Sequence, residues 1–163
     1  LPTDTLGRFD FTLAGNYNET TVDKTPETPS IGIPTSDFFL FDRSNILAFE
    51  EGTPKTKVVG GIDWSLGGFG VSAKATYYAS VLVANNAASL DYETGDKTLI
   101  DLEGRYQFPY GVGLAVGVNN LFDEYPEYTP AALNGATGSV GFPSYSPFGF
   151  NGRFLYARLS YSF

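Results

Sequence analysis

The sequence predicts an all-β chain: about six long antiparallel strands in up-and-down order, with the pattern of a transmembrane β-barrel wall. Three observations predict it. Apolar and polar residues alternate with a period of two in six separate segments, most of them near the 9–11 residues a tilted strand needs to cross a bilayer. The links between segments run long, short, long, short, long. No apolar run approaches the roughly 20 residues of a transmembrane helix.

The first segment, 5–18, places Phe9, Phe11, Leu13, Gly15 and Tyr17 on one face and Arg8, Asp10, Thr12 and Asn16 on the other. The second, 57–66, sets Val58, Ile62, Trp64 and Leu66 against Lys57, Asp63 and Ser65. In the third, 69–81, Phe69, Val71, Ala73, Ala75 and Tyr77 oppose Ser72, Lys74, Thr76 and Ser80. The fourth, 98–108, opposes Ile100, Leu102, Tyr106 and Phe108 to Asp101, Glu103, Arg105 and Gln107. The fifth, 112–122, turns Val112, Leu114, Val116 and Val118 one way and Gly113, Ala115, Gly117 and Asn119 the other. In the sixth, 153–163, Leu155, Ala157, Leu159, Tyr161 and Phe163 alternate with Arg158, Ser160 and Ser162.

Gly67-Gly68 and Pro109-Tyr110-Gly111 are the short links; 19–56, 82–97 and 123–152 are the long ones. Within the first long link, Asp37–Phe41 and Asn45–Phe49 read as a short hairpin, too short to span, standing above the membrane. Outer-membrane barrels have short periplasmic turns and long outer loops, which orients the strands. The apolar-face residues nearest the short turns are then Phe9, Trp64, Phe69, Tyr106 and Phe108, with Tyr161 and Phe163, and these read as an interfacial girdle. A soluble β-sandwich, the main alternative fold, would scatter its rings along the strands. Hydrocarbon on one face and lumen on the other makes Val116 a costly site for a charge and Ala115 a tolerant one.

The composition excludes several chemistries. Cys and His are both zero among the 163 residues, so disulfides, Cys/His zinc sites and His-dependent catalysis are ruled out within the chain. A net charge of −8 opposes nucleic-acid binding. Thirteen of the 18 acidic residues fall in the long links, as solvated loops or as a vestibule for cationic ligands. They lack the D-x-D-x-D-G spacing of a calcium loop. Asp101 and Glu103 share a face with Arg105 beside them, which could serve acid–base chemistry. With Lys57, Asp63, Lys74 and Arg158 they read instead as lumenal ion-pair partners. Gly113, Gly117 and Gly141 precede no helix and form no phosphate cradle. We expect no cofactor and no enzymatic activity. The chain has no Met and no signal peptide, so we expect a processed or excised piece. Six strands leave two unpaired edges, which hydrocarbon does not tolerate, so the expectation is the end of a larger barrel. The alternative is a small self-standing or oligomeric barrel.

Asn120-Leu121-Phe122-Asp123, followed by Pro126, and an ending of Gly152-Arg153-Phe154 through Tyr161-Ser162-Phe163 resemble the C-terminal part of TonB-dependent outer-membrane receptors. Leu40-Phe41-Asp42-Arg43 and Gly52-Thr53-Pro54-Lys55 are also similar to that family's phrasing before a strand. The resemblance implies that residues 1–163 are the last strands of a 22-stranded barrel in the bacterial outer membrane. The N-terminal plug domain and the rest of the barrel would lie outside them. It further implies TonB-coupled uptake of a small scarce nutrient such as an iron chelate, cobalamin or a carbohydrate. Tyr161 and Phe163 would then be read by the barrel-assembly machinery. Tyr125, Tyr128, Tyr145, Phe148 and Phe150 crowd the last long link and are the expected ligand-contact residues, since aromatic loops can stack on sugars or aryl chelates.

Overall fold

The computed structural model describes residues 5–25, 41–131, 133, 141–143 and 146–163. Six strands form one antiparallel sheet: β1 (Arg8–Tyr17), β2 (Thr56–Leu66), β3 (Phe69–Tyr78), β6 (Lys97–Gln107), β7 (Val112–Asn119) and β8 (Phe154–Tyr161). Between β1 and β2 lies a helix, α1 (Arg43–Glu51), and between β3 and β6 a small hairpin of β4 (Leu82–Val83) and β5 (Tyr92–Glu93). The sheet order β1-β2-β3-β6-β7-β8 follows the chain, each strand pairing with its predecessor in the sheet. It is therefore an up-and-down wall, and β1 and β8 each carry one unpaired edge among the described residues.

The register assigns the faces that the period of two predicts. One row runs Phe9, Trp64, Val71, Gly104, Val116, Ala157; the next is Phe11, Ile62, Ala73, Leu102, Val118, Leu155. On the opposite face a row runs Asp10, Asp63, Ser72, Glu103, Gly117, Tyr156. The apolar face has no covering layer among the described residues. Leu13 is 82% exposed, Leu159 75% and Val116 57%, whereas Ala115 is the one buried apolar side chain among the described residues of the six strands. A soluble protein hides its largest apolar surface; here that surface is the sheet's whole outer face. The β-sandwich is not the architecture observed: no second sheet faces this one among the described residues. Among the described residues no helix is long and apolar enough to cross a membrane.

The links explain where strands stop. Gly67 takes φ +57 in the two-residue turn between β2 and β3, and Tyr110 and Gly111 take φ +67 and +79 between β6 and β7. Such left-handed positions favour glycine, and Tyr110 is the costlier member. The expected Asn45–Phe49 hairpin strand is instead inside α1, while most of its partner, 37–40, lies outside the described residues. The reason is a helix start: the Asp42 carboxylate accepts from the Asn45 backbone N–H at 2.8 Å and from the Ser44 hydroxyl at 2.8 Å. Gly52 ends the helix, its N–H donating to the Ala48 carbonyl at 3.2 Å.

Candidate functional site: the inward wall and its loop layer

The inward face is a lattice of ion pairs that fill their own valences. The Arg105 guanidinium donates twice to Asp63, at 2.8 and 2.6 Å. Lys74 pairs with Asp101 at 2.8 Å, and Arg158 with Glu103 at 3.2 Å. The Tyr156 hydroxyl adds a 2.8 Å hydrogen bond to Glu103. Asp63, Lys74 and Arg158 thus join the ion pairs that their face predicts. Lys57 makes no ion pair among the described residues; its ammonium sits 5.0 Å from the centre of the Tyr78 ring, a cation–π contact.

Three of these contacts skip a strand, that of Arg158 on β8 with Glu103 on β6 among them. Arg105 on β6 reaches Asp63 on β2 by lying across β3 at Gly70, where a Cβ would come within 2.6 Å of the guanidinium. Tyr156 on β8 reaches Glu103 on β6 by lying across β7 at Gly117. The inward glycines are floors for these long side chains, a role that spacing alone does not disclose. Ala115 is also covered: it pairs in register with Arg105 and Arg158 and is 4% exposed. It is therefore not the open lumenal position expected from its alternation, because two cationic side chains flank it.

At the loop end, Asn120-Leu121-Phe122-Asp123 does structural work. Asn120 turns left-handed at φ +54, a region Asn tolerates, and β7 ends there rather than at Phe122. Its buried side-chain amide donates to the Glu124 carbonyl at 2.8 Å and accepts from the Glu124 N–H at 2.9 Å. Its backbone N–H donates to Asp101 at 2.9 Å. Leu121 donates through its N–H to the Ile100 carbonyl at 2.7 Å, and Phe122 is exposed. The Asp123 carboxylate accepts from the Arg153 N–H at 2.7 Å, tying the start of the last loop to the start of β8. Pro126 is buried behind the turn. The Asp123 charge, with some burial, raises the Tyr125 phenol above its ordinary range.

The expected ligand-contact residues divide. Tyr125, Tyr128 and Phe150 gather around Phe142, with ring centres 5.6, 4.7 and 6.0 Å away and planes within 24° of parallel. Phe142 was not singled out from the sequence; a lone Phe after Gly carries no spacing signal. Phe148 instead packs on Tyr78 at 5.7 Å. Tyr145 lies outside the described residues. Phe148 also overhangs a hollow of about 380 Å³ on the inward face, lined among others by Lys74, Asp101, Asn119 and Asn151. A second hollow of about 250 Å³, with Glu103, Tyr156 and Arg158, adjoins it and shares Lys74, Asp101 and Asn119.

At the opposite end, Phe9 and Trp64 lie 6.4 Å apart, Phe69 and Tyr106 4.4 Å, Tyr106 and Phe108 4.6 Å, and Tyr161 and Phe163 6.4 Å. The sheet gathers these rings on the outer face near the short turns. Trp64 also donates its indole N–H to the Leu6 carbonyl at 2.9 Å.

The long links are tied to one another. Arg43 at the start of α1 donates twice to Asp91 beside β5, at 3.0 and 2.6 Å, and Asn86 donates to Asp42 at 2.8 Å. Tyr92 bonds Thr129 at 3.1 Å and Lys97 bonds Glu127 at 3.1 Å, joining the hairpin and the start of β6 to the last loop. Arg43, helped by the Asn85 N–H, holds the Asp91 carboxyl down at about 2, below the ordinary 3.8. Because the folded value lies below the unfolded one, this tie stabilises above the ordinary carboxylate range and is lost as pH falls through about 2. Slow hydrogen exchange at the Asn85 amide, which donates to Asp91 at 2.7 Å, should accordingly persist at pH 4 and disappear in the Asp91→Asn variant. Among the described residues no three acidic side chains converge as a metal site.

No family model and no curated protein matches the chain. Three solved structures do, all of variants of the ferric enterobactin receptor of Pseudomonas aeruginosa, one of them in complex with enterobactin. Two are 24% identical, with TM-scores of 0.51 and 0.52; the enterobactin complex is 22% identical, with a TM-score of 0.50. Each alignment covers 68% of this chain and 16% or 17% of the receptor, so the chain spans about a sixth of that protein's length. At this level the likeness establishes fold: the chain has the architecture of part of a receptor β-barrel, an open run of its antiparallel wall.

Proposed function

We propose that residues 1–163 are the C-terminal wall segment of a TonB-dependent receptor in the bacterial outer membrane, working in TonB-coupled uptake of a small scarce nutrient. The observation that carries this reading is the contrast between the two faces. The outer one presents uncovered Phe, Leu, Val and Ile along the strands; the inner one presents charges already paired with each other. Lipid suits the first and a wet lumen the second. The free edges of β1 and β8 support a larger barrel, since each unpaired backbone group in hydrocarbon costs several kcal/mol. The rest of the barrel, the plug domain and the TonB-contacting segment would come from outside these residues. Phe9, Trp64, Phe69, Tyr106 and Phe108 form the girdle at the periplasmic boundary. Tyr125, Tyr128 and Phe150, gathered on Phe142, face the incoming ligand. The role is that of a receptor rather than an enzyme.

The test is fractionation of the whole protein. It should sediment with the outer membrane and migrate on a gel as a compact band that shifts on boiling. A monodisperse, folded protein without detergent would overturn the membrane assignment. Tyr161 and Phe163 are proposed to carry the assembly signal. Phe163→Ala should therefore lower the amount of heat-shiftable receptor in the membrane while leaving synthesis unchanged, as read by immunoblot of both fractions. Wild-type assembly of this variant would remove that role.

A further inference from the structure

We propose that the hollow beneath Phe148 binds a neutral polyhydroxylated ligand, a small sugar, rather than an anionic iron chelate. This rests on the receptor reading above and specifies its ligand. The hollow, about 380 Å³, is of the size that small ligands occupy. Two rings line it, Phe148 and Tyr78, with centres 5.7 Å apart, and a flat ring face packs on the C–H face of a pyranose. Its charges cancel. Lys74 and Asp101 are paired at 2.8 Å, and the other Asp101 oxygen accepts the Asn120 N–H at 2.9 Å. An anionic ligand would meet Asp101 and would have to draw Lys74 away from it; a cationic one would meet Lys74.

The remaining polar groups suit hydroxyls. Asn119 and Asn151 make no side-chain hydrogen bond to another described residue, and each amide offers both donors and an acceptor. A sugar hydroxyl, itself donor and acceptor, pairs with either end. The adjoining hollow repeats the design, with a Glu103–Arg158 pair at 3.2 Å and the Tyr156 ring beside it. A linear di- or trisaccharide could extend from one into the other through the shared Lys74–Asp101 pair.

The experiment uses the whole receptor in detergent micelles, titrated calorimetrically with glucose, maltose, cellobiose and maltotriose, and separately with ferric enterobactin. Saturable binding of at least one sugar is expected. Phe148→Ala and Asn151→Ala should each weaken it by about tenfold, the scale of one lost ring or amide contact. Tyr110→Ala, at the far turn, should leave it unchanged. Heat-shiftable migration of each variant shows that it is folded. Sugar silence, sugar binding indifferent to both variants, or ferric enterobactin binding weakened by them would overturn the ligand assignment while leaving an assembled receptor. Absence of the protein from the outer membrane would instead overturn the receptor reading itself.

Discussion

Arginine in place of Val116 should lower the unfolding free energy of the bilayer-inserted protein by about 2–4 kcal/mol if the site lies near the midplane. Val116 is on the outer face of β7, in register with Gly104 and Ala157, and nothing among the described residues covers it. A guanidinium there must either sit in hydrocarbon or pull water and headgroups inward. The matched inward control is Thr12→Arg rather than a charge at Ala115. Thr12 is exposed opposite Gly61, and a new cation there meets no neighbour on β2, so its cost should stay below about 1 kcal/mol. Ala115→Arg, by contrast, would force a third guanidinium between Arg105 and Arg158. Urea unfolding in lipid vesicles measures all three. Equal losses for Val116→Arg and Thr12→Arg would contradict the assigned faces.

Gly117→Val is expected to be the most damaging change on the inner face, costing about 1–3 kcal/mol as an overpacked site. A Cβ there would fall inside the Tyr156 ring's contact distance, so the ring must lift and its hydrogen bond to Glu103 is lost. The diagnostic is a double-mutant cycle. In a Tyr156→Ala background the space above Gly117 is empty, and Gly117→Val should then cost little. Additive losses would mean that the glycine serves the strand backbone and not the overlying ring.

Much of this architecture was legible because one physical rule, side chains alternating across a strand, governs most of it. That rule placed Phe11, Leu102 and Leu159 outward and Asp63, Glu103 and Arg158 inward, as the register has them. What it missed depends on other physics. Asn45–Phe49 alternates weakly, but the Asp42 cap decides for a helix before alternation matters. Alternation carries the fifth segment through Phe122, whereas the closure of Asn120 on Glu124 stops it at Asn119. The hairpin of β4 and β5 is held by two residue pairs and gives no periodic signal. Among the proposed ligand contacts, the meeting of Tyr125, Tyr128 and Phe150 on Phe142 depends on the path of the last loop.

The three side chains that stride over a neighbouring strand, Arg105, Tyr156 and Arg158, act as diagonal braces. Gly60 and Gly61 on β2 offer little side-chain mass to say which residues of β1 and β3 should sit opposite them. A slide of β2 by two residues would keep every face correct, so greasiness alone cannot forbid it. It would, however, carry Asp63 beyond the reach of Arg105, and the equivalent slide of β8 would part Tyr156 from Glu103. A smooth, glycine-paved wall is thus kept from slipping by the bolts laid across it.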